Sequence, residues 1–321
     1  MPIGNNTKPI QLLNMVPAAA NVRQRSGILL AIFTTLIWSG NFIIARGVAP
    51  EIPPVTLAFF RWLTATTLLL PFVRTQIPVL WQQVRSHAVY LFWTALTGVT
   101  LFNTFIYVAG HHTEAINLAL IGTTSSPVIS VLLAYIFLGE AITIRRFTGL
   151  LLCIVGILVL LSKGSWSALL HIRFGTGDAW VLAAGLSFAI YNILVRKKPP
   201  GIAPVNFLFL IFAIGTGLLL PTWLAEASQV APVEWNLKTI GAVAYLGLGA
   251  SVISFLCWNA AIERLGAART ALFGNLIPVF STIEAIWFLQ EQFTLLYLAS
   301  GLLIFSGLLL ANSAGFTIRK K

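Results

Sequence analysis

The chain has 321 residues, of which 58% are hydrophobic and 9% charged, and its mean hydropathy is +0.89. Soluble domains carry about 25% charged residues and could not hide so much apolar side chain, so an ordinary water-soluble fold is excluded and lipid becomes the solvent. The net charge of +11 does not make a nucleic-acid binder, because the basic residues stand in short breaks between apolar runs, where they act as a topology signal.

Residues 1–26 are polar, lack the apolar core of a signal peptide, and read as a disordered cytoplasmic tail. Ten apolar runs follow, at 27–46, 55–73, 88–108, 115–137, 147–162, 177–197, 204–224, 238–258, 266–288 and 293–313. A helix needs roughly 20 apolar residues to span a bilayer, so each run is predicted to be one crossing of an all-α integral membrane protein. Residues 314–321 form a basic cytoplasmic tail. No ten-residue alternation of apolar and polar positions suggests an outer-membrane barrel. With the N-terminus inside, fifteen of the twenty Lys and Arg residues face the cytoplasm. That bias predicts both termini inside, in an inner or plasma membrane. Cys153 and Cys257 fall inside apolar runs and suggest neither a disulfide nor a metal site.

The chain repeats itself. PVISVLLAYIFLGEAIT (127–143) and PVFSTIEAIWFLQEQFT (278–294) agree at eight of seventeen positions, 151 residues apart. The same offset pairs Asn41 with Asn192, Gly98 with Gly249, Tyr107 with Trp258 and Gly156 with Gly307. Residues 27–162 and 177–313 therefore read as two five-helix units. Five is odd, so the second unit enters the membrane from the opposite side, which makes an inverted repeat of the kind alternating-access transporters use.

WSGNFIIAR (38–46), FFRW (59–62), SPVISVLLAYIFLGE (126–140) and ERLGAARTALFGNLIPVF (263–280) carry a resemblance that extends from about residue 27 to 313. The chain resembles the EamA-type transporters of the drug/metabolite transporter superfamily. The resemblance implies ten helices, a central cavity, and export or exchange of small organic metabolites or drugs. It departs at Gln290, where the family pattern has a glycine before Glu291.

A substrate site is expected near the midplane between the units. Thr100, Asn103 and Tyr107 share a helix face at i, i+3 and i+7, and their equivalents are Ser251, Ser254 and Trp258. Two small polar groups and an aromatic on each stripe suit a small amphipathic solute such as an amino acid. Trp38 and Asn41 add a face of the first helix, with Asn192 as the mate of Asn41. Thr124 and Asn275 precede Pro127 and Pro278, where a missing backbone donor frees carbonyls. Each of these polar groups has a second reading as glue between helices. Arg61 and Glu284 lie at matching depth within apolar runs and are expected either to pair or to leave Glu284 as a coupling carboxylate. Glu140 and Glu291 stand at symmetry-related helix ends, the first beside Arg145 and Arg146, and read as helix-end and loop pairs. His111, His112 and Glu114 lack the further ligand a metal needs. No cofactor is called for, and oligomeric state is left open. The expected partners are a small solute and membrane lipid, and not nucleic acid. The alternatives are a proton-coupled exporter of cationic drugs and, in a different class, a membrane enzyme or scaffold.

Overall fold

A computed structural model describes residues 10–48, 50–109, 112, 115–162, 165, 167, 170, 175–289 and 295–313. Among them the regular secondary structure is helical, with no strand. The elements in chain order are α1 (Ile10–Val48), α2 (Pro54–Val73), α3 (77–109), α4 (Ala115–Leu138), α5 (Ile144–Ser162), α6 (Thr176–Arg196), α7 (Pro204–Ala227), α8 (Leu237–Leu265), α9 (267–289) and α10 (Leu295–Ser313). Four stretches, Pro54–Ala109, Thr176–Arg196, Pro204–Ala227 and Leu237–Leu265, are long and apolar enough to cross a bilayer. Leu, Phe and Trp side chains lie exposed along most of the helices, as lipid contact requires.

Two boundaries differ from the sequence reading. α1 starts at Ile10, so residues 10–26, expected as a disordered tail, continue the first helix. α3 starts at Ile77 rather than near 88, and bends at His87, whose φ of −133° and ψ of 28° leave the helical region. The polar stretch QQVRSH interrupts the hydropathy there without ending the helix. Before the bend Trp81 is exposed and Arg85 lies over its ring at 5.0 Å, an amphipathic pairing that would suit a segment at a membrane surface.

α3 and α8 are not regular. Each carries a π-helical turn, at Leu96–Leu101 and Tyr245–Ile253, which widens the helix by one residue per turn. The widening redirects side chains. Ser251 and Ser254 turn their hydroxyls onto the carbonyls of Leu246 and Gly249, five residues back, at 2.8 and 2.9 Å. α9 breaks into a 3₁₀ turn at Phe273–Leu276 ahead of Pro278, where the ring leaves no backbone donor.

Packing is reciprocal between residues 27–162 and 177–313. α1 lies along α8 and α9, and α6 along α3 and α4, while α2 packs on α7 and α5 on α10. The last two pairs run antiparallel. Glu226 near the end of α7 accepts from the Val55 and Thr56 amides at the start of α2, and Asn206 near the start of α7 donates to Gln76 just beyond the end of α2. In the α5–α10 pair, a Cβ on Gly149 would stand 2.4 Å from the Gly307 carbonyl, and one on Gly307 would stand 2.5 Å from the Gly149 carbonyl. Only glycine permits that approach, the small-residue contact by which helices associate in lipid.

Basic side chains collect at one end of the bundle. Arg23 and Arg196 donate to the Glu263 carbonyl, Lys198 pairs with Glu263, and Arg269 binds Asn312 near the end of α10. The start of the apolar part of α1 and the end of α10 thus share that end.

Candidate functional site

α2 carries Arg61 two turns from its start, into the space between α1, α3 and α8. The residue is 2% exposed. Its Nε donates to Ser251 Oγ at 2.7 Å. Its Nη1 faces three acceptors, Asn103 Oδ1 (2.9 Å), Asn41 Oδ1 (3.0 Å) and the Tyr107 hydroxyl (3.1 Å), and its Nη2 donates to the Ala250 carbonyl at 3.1 Å. The Ala250 carbonyl also accepts from Trp38 Nε1 at 2.9 Å, which ties the guanidinium to an aromatic cluster. That cluster holds Trp38 and Trp258 with ring centres 4.9 Å apart, flanked by Phe188 and Phe255. Trp258 Nε1 donates to Asn192 Oδ1 at 2.9 Å, and Asn192 Nδ2 donates to Ser130 Oγ at 3.2 Å.

Seven of the residues singled out in the sequence therefore meet around or beside one guanidinium: Trp38, Asn41, Asn103, Tyr107, Asn192, Ser251 and Trp258. Thr100 does not join them. It sits inside the π turn of α3 and donates to the Gly215 carbonyl of α7 at 3.2 Å. Ser254 is taken up by its own helix, and its carbonyl accepts from Thr34. Asn275 Nδ2 donates to the Leu272 carbonyl at 3.0 Å, serving the 3₁₀ break. The side chain of Thr124 lies outside the described residues, as do His111, Glu114, Gln290 and Glu291. Among the described residues no group of three metal-ligating side chains comes together.

Arg61 and Glu284 do not pair directly. Ser39 donates to Glu284 Oε1 at 2.7 Å, while Asn41 receives from Arg61. Residues two apart on a helix point about 200° apart, so α1 stands between the two ionisable groups. Glu284 Oε2 has no hydrogen-bond partner. Near it, a Cβ on Gly40 would lie 3.9 Å from Oε2 and 2.5 Å from the Tyr245 hydroxyl, so the glycine admits both groups to the flank of α1.

Sequence reasoning missed the central place of Arg61, which it treated as a partner for Glu284. The residue at the equivalent position is Phe212, packed on Trp62 and Phe255 at 4.8 and 5.6 Å. Where the second unit bonds Trp258 to Asn192 directly, the first inserts Arg61 between Tyr107 and Asn41. Tyr191, beside Asn192 on α6, is fully buried and donates to Asn259 Oδ1 at 2.7 Å. Gly98 makes room for its ring, since a Cβ there would stand 2.1 Å from it.

At the basic end, Gly139 takes a φ of 66°, a left-handed conformation that suits glycine, and ends α4. Glu140 follows, buried, with Arg146 Nη1 at 3.7 Å and the Ala267 and Ala268 amides at the start of α9 facing it. Neither carboxylate oxygen makes a well-formed hydrogen bond. Burial raises the carboxyl pKa above its usual range and outweighs the opposing pull of Arg146. Nearby, a small pocket of about 30 Å³ lies among α6, α7 and α8, lined by Phe207, Asn259 and the Lys198–Glu263 pair.

Two copies of one family model, described as EamA-like transporter family, match residues 25–162 and 175–313. The chain belongs to the EamA-like transporter family. This EamA-like protein is accordingly an integral membrane transporter, and its relatives are named as transporters rather than enzymes. It is 29% identical over 290 residues to an "Uncharacterized transporter" of Archaeoglobus fulgidus, covering 89% of this chain and 96% of the relative. It is 25% identical over 304 residues to a "Probable amino-acid metabolite efflux pump" of Salmonella typhimurium, covering 91% and 96%. A "Probable terminal-alkyne amino-acid exporter" of Streptantibioticus cattleyicolor is 29% identical over 218 residues, covering 67% and 70%. One solved crystal structure superposes with a TM-score of 0.73 at 18% identity, covering 91% of this chain and 98% of the other, a likeness of fold alone.

Proposed function

We propose that this transporter exports or exchanges small organic metabolites, amino acids among them, by alternating access around the polar site between α1, α2, α3, α6 and α8. One observation carries the reading: a buried cluster of Asn, Ser, Tyr and Trp side chains, drawn from both halves of the chain, surrounds a charged group in the interior of an apolar bundle. Polar and ionisable groups at that depth are expensive and mark solute pathways. Relatives named as an amino-acid exporter and as an amino-acid metabolite efflux pump support the solute class.

In this reading the ten helical segments are ten crossings in two oppositely oriented units, 27–162 and 177–313. The antiparallel α2–α7 and α5–α10 pairs and the exchanged partners of α1 and α6 support it, because a two-fold relation repeats every contact with roles exchanged. The basic end, which holds the start of the apolar part of α1 and the end of α10, faces the cytoplasm.

Counterflow in proteoliposomes with a panel of amino acids and cationic dyes tests the function. Trp258→Ala and Asn103→Ala each reduce flux of the true solute at least tenfold. Full activity in both variants would remove the site. A proton-coupled mode is favoured by the free Oε2 of Glu284. An unchanged pH profile in Glu284→Gln would end it.

A further inference from the structure

The guanidinium of Arg61 is always charged, and among the described residues it is buried without an ion-pair partner. The ion pairs Glu140–Arg146, Glu263–Lys198 and Glu51–Lys238 do not involve Arg61, and Glu284 is held by Ser39 on the other flank of α1. All five contacts of Arg61 are to neutral acceptors, three of which converge on the two hydrogens of Nη1. A buried cation in such a shell is solvated but not neutralised, and a carboxylate oxygen would bind it more strongly than any amide or hydroxyl.

Two further observations have the same sign. Asn103 is 3% exposed, its Oδ1 is committed to Arg61, and its Nδ2 has no partner. Trp62, whose ring lies 4.9 Å below the Arg61 carbon, is fully buried with an unpartnered Nε1–H. Around the guanidinium the unused hydrogen-bonding groups are donors, and what the neighbourhood lacks is acceptor oxygen carrying negative charge. The aromatic cluster of Trp38, Trp258, Phe188 and Phe255 adjoins through the Ala250 carbonyl that Arg61 and Trp38 share.

We propose that the transported solute carries a carboxylate that docks on Arg61 and on Asn103 Nδ2, with its apolar or aromatic portion against Trp38 and Trp258. The proposal rests on the transport function above and names its solute class. On docking, the carboxylate displaces one or more of the Asn41, Asn103 and Tyr107 oxygens from Nη1, so those groups rearrange as the site fills. Planar two-oxygen recognition is a property of arginine and is not reproduced by lysine.

The test is counterflow by the wild-type protein in proteoliposomes. The panel contains phenylalanine, tryptophan, leucine and methionine, each beside its amide and its decarboxylated amine, together with phenylpropionate and cationic dyes. The free carboxylates are carried at least tenfold faster than their amides and amines. Arg61→Gln abolishes that preference, and Arg61→Lys restores it only weakly. Equal transport of amides and amines, or transport of cationic dyes alone, would overturn the anchor and leave the transporter intact. Transport of no member of the panel would overturn the solute reading and the anchor together. Because the wild-type series needs no substitution at a buried site, the test stands even where Arg61→Gln does not fold.

Discussion

Glu140 offers the sharpest test of a single residue away from the solute. Its carboxyl pKa is raised by burial, so the folded chain holds this proton at a pH where the unfolded chain has lost it. A raised carboxyl contributes stability that is complete below the unfolded value and lost as pH rises through the folded one. Glu140→Gln, which keeps the shape and removes the charge, is therefore at least as stable as wild type at pH 7.5, and the two converge toward pH 4.5. Melting curves in detergent across that range check it, and a variant clearly less stable at pH 7.5 would show that the Arg146 pair outweighs desolvation. Within the proposed solute site, Trp258→Phe keeps the ring contact with Trp38 but leaves Asn192 Oδ1 unbonded, a loss of about 1–3 kcal/mol for a buried acceptor. The stripe of Asn103 and Tyr107 and the face of Trp38 and Asn41 could be read from spacing, because polar residues recurring on one face of an apolar helix have few places to go. The centre they share could not, because Arg61 has no equivalent in the second unit and no spacing announces it.

At the scale of elements, regular helix geometry was readable and its exceptions were not. Apolar run lengths locate most of the helices, since lipid demands them. The π turns of α3 and α8 carry no such mark, and they are why Thr100 faces α7 instead of joining Asn103, and why Ser254 serves its own helix. The start of α3 was hidden for a related reason: a segment such as 77–86 can be polar and still helical. The α5–α10 contact gives a prediction of its own. Gly307→Ala places a methyl group 2.5 Å from the Gly149 carbonyl and 2.8 Å from Cys153 Sγ, which overpacks the pair and costs about 1–3 kcal/mol. A matching fall in the detergent melting temperature is expected, and Gly301→Ala, with open space around it, serves as the silent control.

For the whole molecule, the internal offset of 151 residues pointed to two units, and the packing gives that offset a physical meaning. Cys153 and Ile304, which it relates, touch each other across α5 and α10 at 3.5 Å. Contact between equivalent positions is what the proposed two-fold axis between those helices would produce. If the units rock about it, cysteines introduced at the α2–α7 junction near Glu226 and at the basic end near Lys198 change accessibility to a membrane-impermeant thiol reagent in opposite directions when solute is added. Parallel changes at both ends would argue against rocking.

The exchange between the halves is unequal in one respect. Arg61 stands on α2, and its counterpart on α7 is Phe212. Under the proposed mechanism, interchangeable halves would rest equally in two postures, whereas a charged group on one arm alone would give wells of different depth. In the proposed cycle the charged anchor belongs to the first half alone: an anionic cargo would travel with α2, and the empty return stroke, with no anion to quiet the charge, would be the slow leg.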